Sequence, residues 1–180
     1  CALDEARLPG SDVPVYFVEH NDYFWRDEVY GPPGSAYPDN LERLSFLCRA
    51  ALAAVERLGW APDIFHLNDW HTAPVAVLVR QRGLKPATVF TGHNLAGAYQ
   101  GVFPEAEAWV LGLDESQPWV GKFLSGGQVN LARAGLACAD MISTVSPTYA
   151  RELRDPDIGA GVDDLIRERG DDVWGILNGI

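Results

Sequence analysis

The chain has few cysteines, few basic residues and no long apolar run. Its 180 residues include three cysteines, Cys1, Cys48 and Cys138. An odd, scattered set with no Cys-x-x-Cys pair is not a disulfide framework. Cys48 and Cys138 lie within apolar helical patterns, as small buried hydrophobes of a reducing compartment do. Lysine and arginine number 14 against 25 acidic residues, a formal net charge of -11. A phosphate-backbone binder carries a basic face, so nucleic acid is not an expected partner. The acidic balance also gives no long-range attraction for an anionic ligand, which would need local cations. No apolar stretch approaches the ~18 residues of a membrane span, so a membrane is not an expected partner either. No basic region followed by an apolar stretch is visible at the N-terminus, and so no signal peptide. Gly-x-Gly-x-x-Gly, a P-loop and a nucleophile elbow around Ser143 or Ser146 are all missing.

What is present is a pair of polar clusters, each following an apolar run. The first is His66-Leu67-Asn68-Asp69-Trp70-His71, after Asp63-Ile64-Phe65. The second is Thr91-Gly92-His93-Asn94, after Ala87-Thr88-Val89-Phe90. An apolar, helix-like segment over residues 73–82 separates them. The order is strand, polar loop, helix, strand, polar loop. In an open parallel sheet such loops leave at the carboxyl ends of the strands, where ligands bind. Two clusters more than twenty positions apart are therefore expected to meet.

The rest of the chain fits the same plan. Residues 13–18 read as a buried strand and 20–38 as a long loop. Residues 39–58 form the clearest helix. Leu41, Leu44, Cys48, Ala51, Val55 and Leu58 make one apolar stripe, Asp39 and Glu42 a capping box, and Gly59 the stop. Strands are expected at 64–67, 88–91, 140–145 and 173–177. Helices are expected at 105–113 and at 128–139, the latter entered through Gly126-Gly127. Thr72 is an expected cap with Pro74 in the first turn, and Ser146-Pro147 opens a helix to about Leu153. Strands alternating with helices imply an α/β fold, Rossmann-like, with a mainly parallel sheet and helices on both faces. No internal linker or repeat is evident. The ends of the chain read as those of a piece of a larger protein.

Several readings of the clusters stay open on the residues alone. Asp69, beside Trp70, can orient a ligand hydroxyl or cap the following helix. His66, Asp69 and His71 are residue types that suit zinc or manganese, but their spacing matches no strong metal signature. A hydrogen-bonded or core role for His66 is the simpler reading. Gly92 allows a close backbone approach. His93 and Asn94 offer donors and acceptors for sugar hydroxyls, or Asn94 bonds its own backbone in a turn.

The clusters also carry a family resemblance. Asp63-Ile64-Phe65-His66-Leu67-Asn68-Asp69-Trp70-His71 and Thr91-Gly92-His93-Asn94-Leu95-Ala96 are its sharpest motifs. Val13 to Val18, Tyr37 to Arg43, Ala139 to Arg151 and Gly175 to Ile180 add to them in the same order and approximate spacing. The chain resembles bacterial glycogen synthases and plant starch synthases. The resemblance implies one half of a two-domain GT-B glycosyltransferase, with residues 1–180 as most of its N-terminal, acceptor-side domain. It implies a hexosyltransferase that moves glucose from ADP-glucose to the non-reducing end of an α-1,4-glucan with retention. No metal and no cofactor are implied. The expected location is the cytoplasm of a bacterium, or the plastid for a plant homologue. By position, Asp69 and His93 match the catalytic residues, and Asn94 and Asn178 match substrate-binding ones. Trp70, Tyr99 and Gln100 lie in matching motifs of the same pocket.

Two departures from the family pattern shape these expectations. The family usually reads His-Asn-Leu-Ala-Tyr-Gln-Gly, whereas here Gly97-Ala98 intervene before Tyr99-Gln100-Gly101. The family's N-terminal Lys-x-Gly-Gly-Leu loop and its C-terminal domain have no counterpart in these residues, so the segment alone is expected to be inactive. Other readings are a GT-B enzyme using UDP-glucose or another acceptor, a noncatalytic glucan-binding module and, last, a metal-dependent hydrolase.

Overall fold

The computed structural model describes residues 1–179. Ile180, the last residue of the Asn178-Gly179-Ile180 motif, lies outside the described residues. The chain divides into two compact units, Cys1–Trp60 and a second from Ala61 onward.

In the first unit, β1 (Ala2–Arg7) and β2 (Pro14–Glu19) pair antiparallel, with Ala2 opposite Glu19 and Arg7 opposite Pro14. The expected strand is thus present, but it is half of a hairpin with no buried residue. A short helix, α1 (Asn21–Phe24), opens the segment expected to be all loop. The long helix α2 (Asn40–Arg57) ends as its sequence dictates. Gly59 adopts φ 64, and the N–H groups of Gly59 and Trp60 donate to the carbonyls of Glu56 and Val55. The buried stripe of α2 is Leu41, Leu44, Cys48 and Leu52, whereas Ala51 and Leu58 are exposed. The expected capping box does not form. The Asp39 carboxylate is taken by Arg26 at 2.7 and 2.5 Å, and Glu42 accepts a hydrogen bond from the Tyr23 hydroxyl at 2.6 Å. A bidentate guanidinium outcompetes the backbone for that carboxylate. It also holds the Asp39 carboxyl below its ordinary range.

The second unit carries the expected parallel sheet. Its strands are β3 (Ile64–Asn68), β4 (Ala87–Gly92), β8 (Met141–Thr144) and β9 (Val173–Gly175), in the spatial order β3-β4-β8-β9. Asn68 lies beside Thr91, and Thr91 beside Ser143. Leu67, Phe90, Ile142 and Val173 form one buried row across the sheet. Helices α3 (Ala73–Arg82) and α4 (Leu131–Cys138) pack together, and both touch the sheet. Gly135 of α4 sits on the Phe90 ring, where a Cβ would come within 2.6 Å. Helix α5 (Pro147–Glu152) begins as expected. Its Ser146 cap accepts from the Tyr149 N–H at 2.9 Å, with Pro147 in the first turn.

Two expected elements differ. Residues 105–113 form a 3₁₀ segment over Glu105–Leu111. Gly126 and Gly127, at φ 61 and 78, are the turn of a hairpin between β6 (Leu124–Ser125) and β7 (Gln128–Asn130), not a helix entry. Consecutive residues at positive φ make the tight turn that matches strand twist, and glycine adopts it without steric penalty. β7 also pairs with β5 (Val102–Pro104). Helix α4 therefore starts only at Leu131, where Asn130 caps the Arg133 N–H. The helices α6 (Pro156–Gly159) and α7 (Asp163–Arg169) precede β9.

Candidate active site

Asp69 leaves β3 and His93 leaves β4, and these strands are neighbours in the sheet. Their loops emerge side by side at the carboxyl edge. Asp69 continues the ladder by one bond, its N–H donating to the Thr91 carbonyl at 2.8 Å. The backbone then turns sharply, with Asp69 at φ 58. Aspartate is among the few side chains that tolerate this left-handed region. Thr72, expected to cap α3, instead donates its hydroxyl to the Asn68 and Asp69 carbonyls at 3.0 and 3.2 Å, which braces the same turn.

The turn aims the Asp69 carboxylate at the second cluster. Oδ1 accepts the His93 backbone N–H at 2.8 Å, and Oδ2 lies 3.2 Å from His93 Nδ1. One carboxylate thus fixes both the backbone and the ring of His93. A carboxylate beside Nδ1 favours the tautomer that carries its proton there, which leaves Nε2 as the acceptor. Both side chains remain partly open, 29% for Asp69 and 43% for His93.

The loop after His93 is pinned at its far end as well. Gln100 is buried, and its amide donates to the carbonyls of Leu95 at 2.8 Å and Ala160 at 3.0 Å while accepting from Asn130 at 2.7 Å. Its polar capacity is used inside the fold, so it sets the shape of the loop rather than facing the opening. Leu95 is buried and donates its N–H to the Tyr149 hydroxyl of α5 at 2.9 Å. Asn94, just before Leu95, and Ala96, Gly97, Ala98 and Tyr99, between the two anchors, are exposed. Gly97 and Ala98 fall in a single 3₁₀ turn, Gly97–Tyr99, on that exposed stretch. The turn lies between two fixed points, Leu95 and Gln100. Asn94 Oδ1 accepts the Ala96 N–H at 3.0 Å, the local turn that its residue type favours.

The Trp70 ring faces inward to the loops. It lies 3.9 Å from the His71 ring and 5.8 Å from the Phe103 ring. Gly101, at φ 64, presses on it so closely that a Cβ would sit 2.3 Å from the ring. His66 makes a hydrogen bond with Thr91 Oγ1 at 2.7 Å. No group of three or more metal-ligating side chains gathers among the described residues. Asn178 follows β9 at the same sheet edge and is exposed. Strand β8 separates β9 from β4 in the sheet.

A cleft of about 560 Å³ lies at the opposite, amino edge, lined by Arg80, Lys85, Thr88, Cys138 and Arg169 among others. Its arginines serve the fold. Arg169 donates to the carbonyls of Leu136, Ala139 and Asp140, and Arg80 to that of Ala137, which satisfies the end of α4. Burial pushes the Cys138 thiol up to about 12, so it is no nucleophile. The carboxyl edge, where a carboxylate and an imidazole are held in register, is the better candidate for chemistry.

A sequence profile of the starch synthase catalytic domain matches residues 2–168. The chain belongs to the starch synthase catalytic domain family. It is 42% identical to glycogen synthase 2 of Geobacter sulfurreducens, over 99% of this chain and 37% of that relative. It is 42% identical to a glycogen synthase of Geotalea daltonii, over 94% of this chain and 36% of that relative. The structure superposes with a TM-score of 0.81 on the catalytic domain of starch synthase IV from Arabidopsis thaliana bound to ADP and acarbose. That match covers 99% of this chain and 40% of the other, at 32% identity. The chain thus spans little more than a third of the length of the relatives it matches. No helix among the described residues is long and apolar enough to cross a membrane.

Sequence reasoning did not find Tyr149 or Asn130. Both act through long-range hydrogen bonds to the loop after His93, and no local pattern marks such partners.

Proposed function

We propose that this chain supplies the acceptor-side wall of a glycogen or starch synthase. In that reading the enzyme moves glucose from ADP-glucose to the non-reducing end of an α-1,4-glucan with retention, in the cytoplasm of a bacterium. The observation that carries it is the Asp69–His93 pair at the carboxyl edge of the sheet, in a family member whose structural relative was solved with ADP and acarbose.

The chemistry follows from the geometry. His93 presents Nε2 as an acceptor for a hydroxyl of the glucosyl unit. Asp69 holds that ring and keeps lone pairs for a second hydroxyl. Together they fix the sugar in near-attack geometry, and the negative charge of Asp69 favours the positive charge that develops at the anomeric carbon. Asn94, Tyr99 and Asn178 are exposed at the same edge and line the approach of donor or acceptor. Gln100 and Trp70 shape the loops beneath.

The test is a segment swap. The matching segment of Geobacter sulfurreducens glycogen synthase 2 is replaced by this chain, and transfer from ADP-glucose to glycogen is measured. Transfer by the swapped enzyme and none by the 180-residue chain alone is expected. A preference for UDP-glucose would move the donor assignment. Retained malto-oligosaccharide binding, with turnover indifferent to Asp69→Ala, would make the chain a binding module.

A further inference from the structure

Beneath the Asp69–His93 pair, three side chains on one face of the sheet form a hydrogen-bonded row. His66 Nε2 lies 2.7 Å from Thr91 Oγ1, and Thr91 Oγ1 lies 2.6 Å from Ser143 Oγ. They come from three consecutive strands, β3, β4 and β8. The register explains the alignment. Thr91 pairs with Ser143, so their side chains rise together, while His66 sits two residues before Asn68, the neighbour of Thr91. Thr91 and Ser143 are buried.

Thr91 joins this row to the site. Its carbonyl accepts the Asp69 N–H at 2.8 Å, and its chain neighbour Gly92 leads directly into His93. Asp69 in turn clamps His93 through both carboxylate oxygens. Residues 69 and 93 sit on loops, where local opening is easiest. What holds them is the end of β4, and a parallel ladder alone leaves that end free to fray. The hydroxyl of Thr91 ties it sideways to both neighbouring strands.

We propose that His66, Thr91 and Ser143 are positioning residues for the Asp69–His93 pair. They act as a lateral brace with Thr91 at its centre. That the brace serves catalysis rests on the function proposed above; that it holds the pair does not. The hydroxyl of Thr91 has one proton for two partners. It either donates to His66 and accepts from Ser143, or accepts from a protonated Nε2 and donates to Ser143. Both arrangements are complete, so the row holds whichever tautomer His66 adopts. Valine at position 91 matches threonine in shape but can make neither bond. Serine keeps both.

The test is amide hydrogen exchange on the full 180-residue chain. In Thr91→Val, protection of the Asp69 and His93 amides is expected to fall at least tenfold, with the amides of α4 unchanged. Thr91→Ser should restore it, and His66→Ala and Ser143→Ala should each give part of the loss. Unchanged protection at Asp69 and His93 in Thr91→Val would overturn the proposal. So would an equal loss across α4, since the hydroxyl would then serve only general stability. In the swapped synthase, Thr91→Val should lower kcat at least tenfold with KM within twofold, again rescued by serine. A swapped enzyme that transfers no glucose even with Thr91 intact would remove the function reading while the exchange result stood.

Discussion

The two edges of the parallel sheet use charge in opposite ways. At the amino edge Arg80 and Arg169 turn inward, and their donors are taken by the carbonyls at the end of α4. A roomy cleft results, but its two arginines are committed to the fold. At the carboxyl edge one carboxylate is exposed enough to meet a ligand and holds one imidazole. The polar groups there are ordered and incompletely used. Oriented and incompletely used polar atoms are what mark the carboxyl edge as the candidate site.

The sharpest way to break this contrast is at the carboxyl edge. Asp69→Asn and His93→Ala in the swapped synthase should each lower transfer by about 10²–10³-fold, the usual effect of losing one preorganised polar group. Circular dichroism should be unchanged. A loss under threefold would mean that this edge is not where glucose is held. Gly101→Ala comes next, because the new Cβ meets the Trp70 ring from a left-handed backbone. It should cost about 3 kcal/mol in urea unfolding and lower transfer as the loop shifts. At the amino edge Arg169→Met strands three carbonyls and should cost about 2 kcal/mol, with transfer per folded molecule unchanged. A specific loss of activity there would overturn the division between the edges.

The smallest effect expected is one of pH. Arg133 of α4 holds Asp164 of α7 at 2.6 and 2.8 Å, which keeps the Asp164 carboxyl below its ordinary range. A lowered folded-state value stabilises above the unfolded value and loses that effect as pH falls through the folded one. Asp164 is more than half exposed, so solvent screening leaves little of it. Asp164→Asn should lower the melting midpoint by about 1–2 °C at pH 7. The difference should close as pH falls below about 4.

The carboxyl edge was legible in the sequence because it depends on local signals. Apolar runs ending at Asn68 and Gly92 mark two strand ends, and parallel order brings them together. Ser146-Pro147 and Gly59 were readable for the same reason, since caps are decided within a few residues. The misses share a different cause. Asp39 looks like a cap until Arg26, thirteen residues away, takes its carboxylate. Gly126-Gly127 looks like a helix entry unless the pairing of β6 with β7 is known. Gln100 looks ligand-facing because its partners Leu95, Ala160 and Asn130 are scattered along the chain.

Asp69 and Ala160, at φ 58 and 47, are the two non-glycine residues with positive φ among the described residues. An engineer seeking heat tolerance would exchange both for glycine, which is at ease in that region. At Ala160, where only a backbone carbonyl is in use, the exchange should toughen the protein. At Asp69 the same exchange would relax the backbone and erase the group that aims His93. On the function proposed above, durability and turnover would part company at that one position, and a screen for melting temperature alone would select a well-folded, inert protein.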